Sequence, residues 1–216
     1  GVTWLIPDAE FIMRRSSFGL EASGDLYFPG GNGNTHINAN ANITRGLKNI
    51  DLEAAINNAN LSNLSQKIYP IDTLKAQDVG FSAKFNANLT KTLKLTKASF
   101  TAESETGKIV LPQYYEAPLT YDEMQIEADY SAERKSLTVQ KIAADINGLD
   151  IAFDTDLKLS NDGIEGPLRL SLPKATIADI RSLHPDKVRD DDVDQWLLKK
   201  KKKGSLSDLK AEIGLS

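Results

Sequence analysis

Three features of this sequence predict a mainly β protein: a strongly curved antiparallel sheet forming an open groove, with short helical crossover segments. Long stretches alternate apolar and polar residues with a period of two. Turn signals separate those stretches at hairpin spacing. One segment occurs twice. Ala59-Asn60-Leu61-Ser62-Asn63-Leu64, followed by Tyr69-Pro70, returns as Ala175-Thr176-Ile177-Ala178-Asp179-Ile180, followed by His184-Pro185. A strand-rich unit closed by a crossing segment and then restarted is the pattern of a repeat protein.

The alternation can be followed along the chain. Ile37, Ala39, Ala41 and Ile43 share one face, with His36, Asn38, Asn40 and Asn42 on the other. Ile50 to Ile56 continues the pattern, and residues 1–58 form the strands of a first unit. Residues 59–80 form a short helical crossover, since Leu61, Leu64 and Ile68 fall at helical spacing and Pro70 stops them. Residues 81–172 form a second multi-stranded unit. Phe81, Ala83, Phe85, Ala87 and Leu89 alternate, as do Ile126, Ala128 and Tyr130, then Leu149, Ile151, Phe153, Leu157 and Leu159, then Leu168, Leu170 and Leu172. In an extended strand successive side chains point to opposite faces, so each of these strands has one oily and one wet side. Asn147-Gly148 between two such runs is the strongest hairpin cue. Twice the alternation slips by one residue: Leu93 and Leu95 hand over to Ala98, Phe100 and Ala102, and Leu137 and Val139 to Ile142, Ala144 and Ile146. A slip that keeps one face apolar requires a β-bulge, and bulges bend a sheet.

Residues 173–204 form the second crossover. Ile177, Ile180 and Leu183 again have helical spacing. An amphipathic helix follows, with Asp190, Asp191, Asp192 and Asp194 at its start, Val193, Trp196 and Leu197 on one face, and Lys199 to Lys203 before Gly204. Acids first and bases last match the helix dipole. Residues 205–216 read as the first strand of a further unit, so the chain is expected to be one continuous fragment of a larger protein.

Composition narrows the function. The formal net charge of −4 argues against nucleic acid as a partner. The absence of cysteine removes disulfides, thiolate metal sites and cysteine nucleophiles. No apolar stretch is long enough to cross a bilayer. The two histidines, His36 and His184, lie in no recognisable motif, and neither a nucleophile elbow nor a phosphate loop occurs. The Asp190–Asp194 cluster lacks calcium-loop spacing, and helix-start placement accounts for it. Lys199–Lys203 reads as a solvated helix end, with anionic headgroups as the alternative. Asn42, Asn60, Asn63 and Asn88 stand in glycosylation sequons that arise readily by chance in Asn-rich strands. No catalytic residue, metal ligand or cofactor is expected. What remains is the oily face itself. Alternation alone is compatible with a sandwich, a closed barrel or an open trough; the internal repeat favours the trough.

The stretch Leu168-Arg169-Leu170-Ser171-Leu172-Pro173-Lys174-Ala175, then Leu183-His184-Pro185, then Asp194-Gln195-Trp196-Leu197, then Gly204-Ser205-Leu206-Ser207-Asp208-Leu209 resembles the central, YhdP-type domain of AsmA-like envelope proteins. The resemblance covers residues 168–216 well and residues 50–90 more loosely. It implies a repeating β-groove fold and a non-enzymatic role: a segment of a periplasmic bridge that carries phospholipid, or another acyl lipid, between inner and outer membranes of Gram-negative bacteria. It also implies an anchor in the inner membrane, through parts of the protein not in this sequence. The unusually basic Lys199–Lys203 departs from the family. On this reading the groove is lined by Phe81, Phe85, Phe100, Ile126, Ile151, Phe153, Leu157, Leu168 and Leu170. The alternative is a structural or adhesive β-sandwich with no lipid ligand, its oily faces turned on each other.

Overall fold

The computed structural model describes residues 8–30, 33–46, 49–61, 78–160, 163–183 and 205–215. Strand accounts for 78% of these and helix for 4%, which places the chain in the mainly β class. The strands are β1 (Asp8–Arg15), β2 (Gly19–Gly30), β3 (Gly33–Thr44), β4 (Asn49–Asn60), β5 (Asp78–Thr90) and β6 (Leu95–Ser104). There follow β7 (Gly107–Ile109), β8 (Leu119–Ser131), β9 (Ser136–Ile146), β10 (Leu149–Leu159), β11 (Ile164–Thr176) and β12 (Ser205–Leu215). The helix α1 (Ile177–Leu183) lies between β11 and β12.

All these strands belong to one antiparallel sheet whose spatial order follows the sequence from β1 to β12. The short strand β7 departs from the row, pairing with both β5 and β8. The pairings β5–β6–β8–β7 therefore close a circuit of four strands, and the register explains how. Ser104 on β6 faces Met124, and Gly107 on β7 faces Tyr121, so the same alignment with β8 runs unbroken through both. β7 thus continues the line of β6 after a two-residue break at Glu105 and Thr106, and both neighbours pair with both halves.

The hairpin cue at Asn147-Gly148 holds: both residues take positive φ, 54° and 81°, as the tight turn requires. Both predicted slips are bulges. Leu89 faces Leu95 while Asn88 faces Lys97, leaving Thr96 as the extra residue. Glu127 faces Lys141 while Ala128 faces Val139, leaving Gln140. A third bulge was hidden in the sequence. Ile56 faces Ala83 and Ala59 faces Phe81, so Asn57 and Asn58 together oppose one residue, with Asn58 at φ 54°. Asparagine tolerates that left-handed backbone better than most residues.

The crossovers are shorter than expected. Ala59 and Asn60 still belong to β4, residues 78–80 already belong to β5, and residues 173–176 are the end of β11. Both repeat copies break at equivalent points: Ala59 and Ala175 are each 1% exposed, each one residue before its strand ends. The helix predicted from Ile177, Ile180 and Leu183 is α1, opened by a cap in which the Thr176 hydroxyl accepts from the Asp179 N–H and the Asp179 carboxylate accepts from the Thr176 N–H, at 3.2 and 2.7 Å. Residues 62–77 and the helix predicted around Trp196 lie outside the described residues. Across both connections the flanking strands are sheet neighbours, β4 with β5 and β11 with β12.

Because neighbouring strands alternate in direction, the two long connections leave from the same rim of the sheet, together with the loop of residues 110–118. The connections at the opposite rim are each three or four residues long. The core sits at the long-connection rim. Leu149, Ile151, Leu172 and Ala175 are buried there, packed by Ile180 and Leu183 of α1 and by Leu209. The Tyr115 hydroxyl donates to the Leu183 carbonyl at 2.7 Å, tying the 110–118 loop to the end of α1.

Candidate functional site

Cross-strand register decides whether separate oily strands make one surface. Side chains directly opposite one another lie on the same face, so the face can be followed strand by strand. From β1 to β12 one line of partners reads Ala9, Leu26, Ile37, Ile56, Ala83, Ala102, Ile126, Ile142, Phe153, Leu170 and Ala211. Every member is apolar. At about 4.8 Å per strand, ten spacings make a track about 48 Å long. The next line runs Phe11, Gly24, Ala39, Ala54, Phe85, Phe100, Ala128, Val139, Thr155, Leu168 and Ile213. Its one polar member, Thr155, donates its hydroxyl to the Pro167 carbonyl at 2.6 Å and is buried.

The bulges keep these lines straight. Without the extra residue at Gln140, every residue of β9 before it would turn to the wrong face. The Asn57–Asn58 bulge does the same for Ala59.

The opposite face is wet. The line Ile12, Ser23, Asn40, Glu53, Asn86, Ser99, Asp129, Thr138 and Asp156 is polar after its first member. Cross-strand bonds stitch this face, among them Asn88 Nδ2 to Asp51 Oδ1 at 2.6 Å and Gln140 Nε2 to Asp129 Oδ2 at 2.5 Å. Arg169 bridges three strands, reaching Asp154 at 2.8 Å and Asp156 and Glu212 at 3.3 Å. The Asp154 bond, then the Asp156 bond, raises the guanidinium pKa further above its usual range. His36 also lies on this face, its Nε2 2.8 Å from Asp25 Oδ1 and its ring stacked on Tyr27. Asn42 and Asn88 of the sequons are exposed there. His184, Asn63, Asp190–Asp194 and Lys199–Lys203 lie outside the described residues.

All nine residues expected to line a groove lie on the apolar face, though not in one environment. Phe85 and Phe100 face each other, as do Phe153 and Leu170, while Ile126 sits in the continuous line. Phe81 faces Ala59, Leu157 faces Leu137, and Leu168 faces Thr155. Ile151 departs from the expectation: at 7% exposure it belongs to the core beneath α1, so the chain itself covers it. Leu26, Ile37, Ile56, Val139 and Ile142, outside those nine, complete the lines. Their alternation was visible, but only pairing shows that they join Ile126 and Phe153.

How far the face is covered changes along the sheet. Near α1 it is packed. Further away its large side chains are less covered: Phe85, with a strand on either side, is still 38% exposed, and Phe11 and Met13 on β1 are 74% and 70% exposed, while the small Ala83 and Ala87 flanking Phe85 are buried. A second layer would bury a phenylalanine in the middle of a sheet.

Where β6 breaks, Tyr121 is 2% exposed, and its hydroxyl lies 2.6 Å from Ser104 Oγ, which also donates to the Gly80 carbonyl. A pocket of about 470 Å³ opens beside this break between Phe81, Met124, Glu103 and Glu105. Among the described residues no group of three or more His, Cys, Asp or Glu is placed to hold a metal ion, and no helix is long and apolar enough to cross a membrane. Comparison with protein-family models, with curated proteins and with solved structures finds no match for this chain.

Proposed function

We propose that this chain is a non-enzymatic segment of a lipid-transfer bridge and that its apolar face is the floor of an open groove carrying acyl chains. The observation that carries this reading is the line of eleven consecutive apolar partners on a face that leaves Phe11, Met13 and Phe85 exposed. Acyl chains laid on such a floor gain roughly 0.8 kcal/mol per methylene removed from water. Headgroups stay wet at its margin. The floor mixes alanine with isoleucine, leucine and phenylalanine and repeats at every strand, so neighbouring positions hold a chain about equally well and it can slide. α1 and the Tyr115 strap would roof one side of the track. In its wider form, which the resemblance suggests, the bridge stands in the periplasm, anchored to the inner membrane, and moves phospholipid to or from the outer membrane.

Native mass spectrometry of the purified chain tests this. Lipid adducts that survive detergent removal are expected. A lipid-free chain whose apolar face is covered by a second copy would overturn the reading and favour a structural sheet.

A further inference from the structure

The rim of short connections carries a feature that an acyl-chain floor does not need. The β1–β2 turn lies directly against the start of the β3–β4 connection, with the Arg45 N–H donating to the Phe18 carbonyl at 2.8 Å. Gly19 permits this approach, since a Cβ there would lie 1.9 Å from the Ile43 carbonyl oxygen. Between the two opens a cleft of about 530 Å³, with Arg15 and Arg45 among its walls and Leu20 and Ile43 in its lining. Both arginines are exposed, and neither forms an ion pair among the described residues. Beside them Phe18 is 84% exposed at the turn tip, which the Ser16 hydroxyl holds by accepting from the Phe18 N–H at 3.3 Å.

The next turn on this rim repeats the combination. Leu93 is 69% exposed between Lys91 and Lys94 and takes φ 59°. A leucine in the left-handed region is uncommon where glycine or asparagine would be relaxed. Exposed cations beside outward apolar tips suit an anionic surface with an oily layer beneath. Nucleic acid would use the cations but leave Phe18 and Leu93 in water. Sheet twist of about 20° per strand fans the rim, so a flat surface meets neighbouring turns rather than the whole row.

We infer that the β1–β2 turn and Arg45 and Gly46 after β3, with the β5–β6 turn beside them, form a docking site for an anionic phospholipid surface. The cleft between Arg15 and Arg45 takes a lipid phosphate, and Phe18 enters the interface. This site lies at the ends of the strands, apart from the acyl floor, and does not depend on transfer along that floor.

The test is co-sedimentation of the full chain with phosphatidylglycerol-rich vesicles and with pure phosphatidylcholine vesicles. Strong binding to the first and weak binding to the second is expected, weakening as salt rises. Replacing both arginines (Arg15→Gln with Arg45→Gln) should weaken binding about 25-fold, from about fivefold per charge near an anionic surface. Both positions are exposed, so circular dichroism should not change. Phe18→Trp supplies a positive signal: relative to the unsubstituted chain, the added indole should be quenched by brominated phosphatidylglycerol. Equal binding to both vesicles, or no effect of the double substitution, would overturn the inference. So would an unquenched indole, preference for duplex DNA, or an arginine-dependent site that takes inorganic phosphate and ignores vesicles. Phe85→Asp should leave this binding intact, so failure of the acyl floor and failure of the rim can be told apart.

Discussion

Phe85 offers the sharpest test of the acyl floor, because it stands mid-sheet between Ala54 and Phe100 and is still 38% exposed. Taking about 200 Å² for a phenylalanine side chain, that fraction leaves about 75 Å² for a ligand to cover. At about 25 cal/mol per Å², covering it contributes about 2 kcal/mol, equivalent to about a 30-fold change in affinity. Phe85→Ala should lose most of that. Phe85→Asp should lose more, because a carboxylate under an acyl chain must either be desolvated or bind a proton. The assay is the fraction of chain carrying lipid in native mass spectra, with far-ultraviolet circular dichroism to confirm that the sheet persists. If Phe85→Asp stays folded and carries as much lipid as the parent, the acyl chains do not lie on this face and the reasoning fails.

Three further outcomes follow from the packing. Ile151→Ala should destabilise the fold by about 2–5 kcal/mol without changing lipid occupancy, since Ile151 is already covered by the chain; denaturant unfolding alongside mass spectra would separate the two effects. Tyr121→Phe should cost about 1 kcal/mol by removing the buried hydroxyl 2.6 Å from Ser104, measured as a shifted urea midpoint; an unchanged midpoint would mean that this bond does not brace the β6 break. The third concerns acid. The Thr176 N–H, and then the Thr176 hydroxyl, hold the Asp179 pKa below its usual 3.8. A carboxylate lowered in the folded state stabilises it above the unfolded pKa, and that contribution is lost as pH falls through the lowered value. Comparing thermal unfolding at neutral pH and below about pH 3, the parent should lose more stability than Asp179→Asn, whose amide oxygen can still accept the cap bond at either pH.

Much of the fold could be read from the chain because strand alternation is a local property. Phe81 to Leu89 shows its oily side without reference to any neighbour, and Asn147-Gly148 states its own turn geometry. The bulges at Thr96 and Gln140 were legible because the apolar period slips there. The bulge at Asn57–Asn58 was not, because alanines and asparagines on both sides blur the period and Ala59 reads as the start of a crossing segment. The candidate site was legible as a list of oily residues but not as a surface. Nothing in the sequence set Ile151, beneath α1, apart from Phe153, two residues away on the same strand and part of the continuous line. The basic rim was hidden for the same reason: Arg15, Arg45 and Lys91 are far apart in the chain and share one rim only because every second turn returns to one end.

The sequence alone determined the class of structure, the two-sided character of its strands, and the internal repeat, since each follows from a period or a spacing between near neighbours. The tertiary structure alone decided register, and with it whether eleven separate strands present one unbroken oily line or a scatter of patches. Register depends on pairing between residues remote in sequence, where a shift of one position would turn a whole strand over.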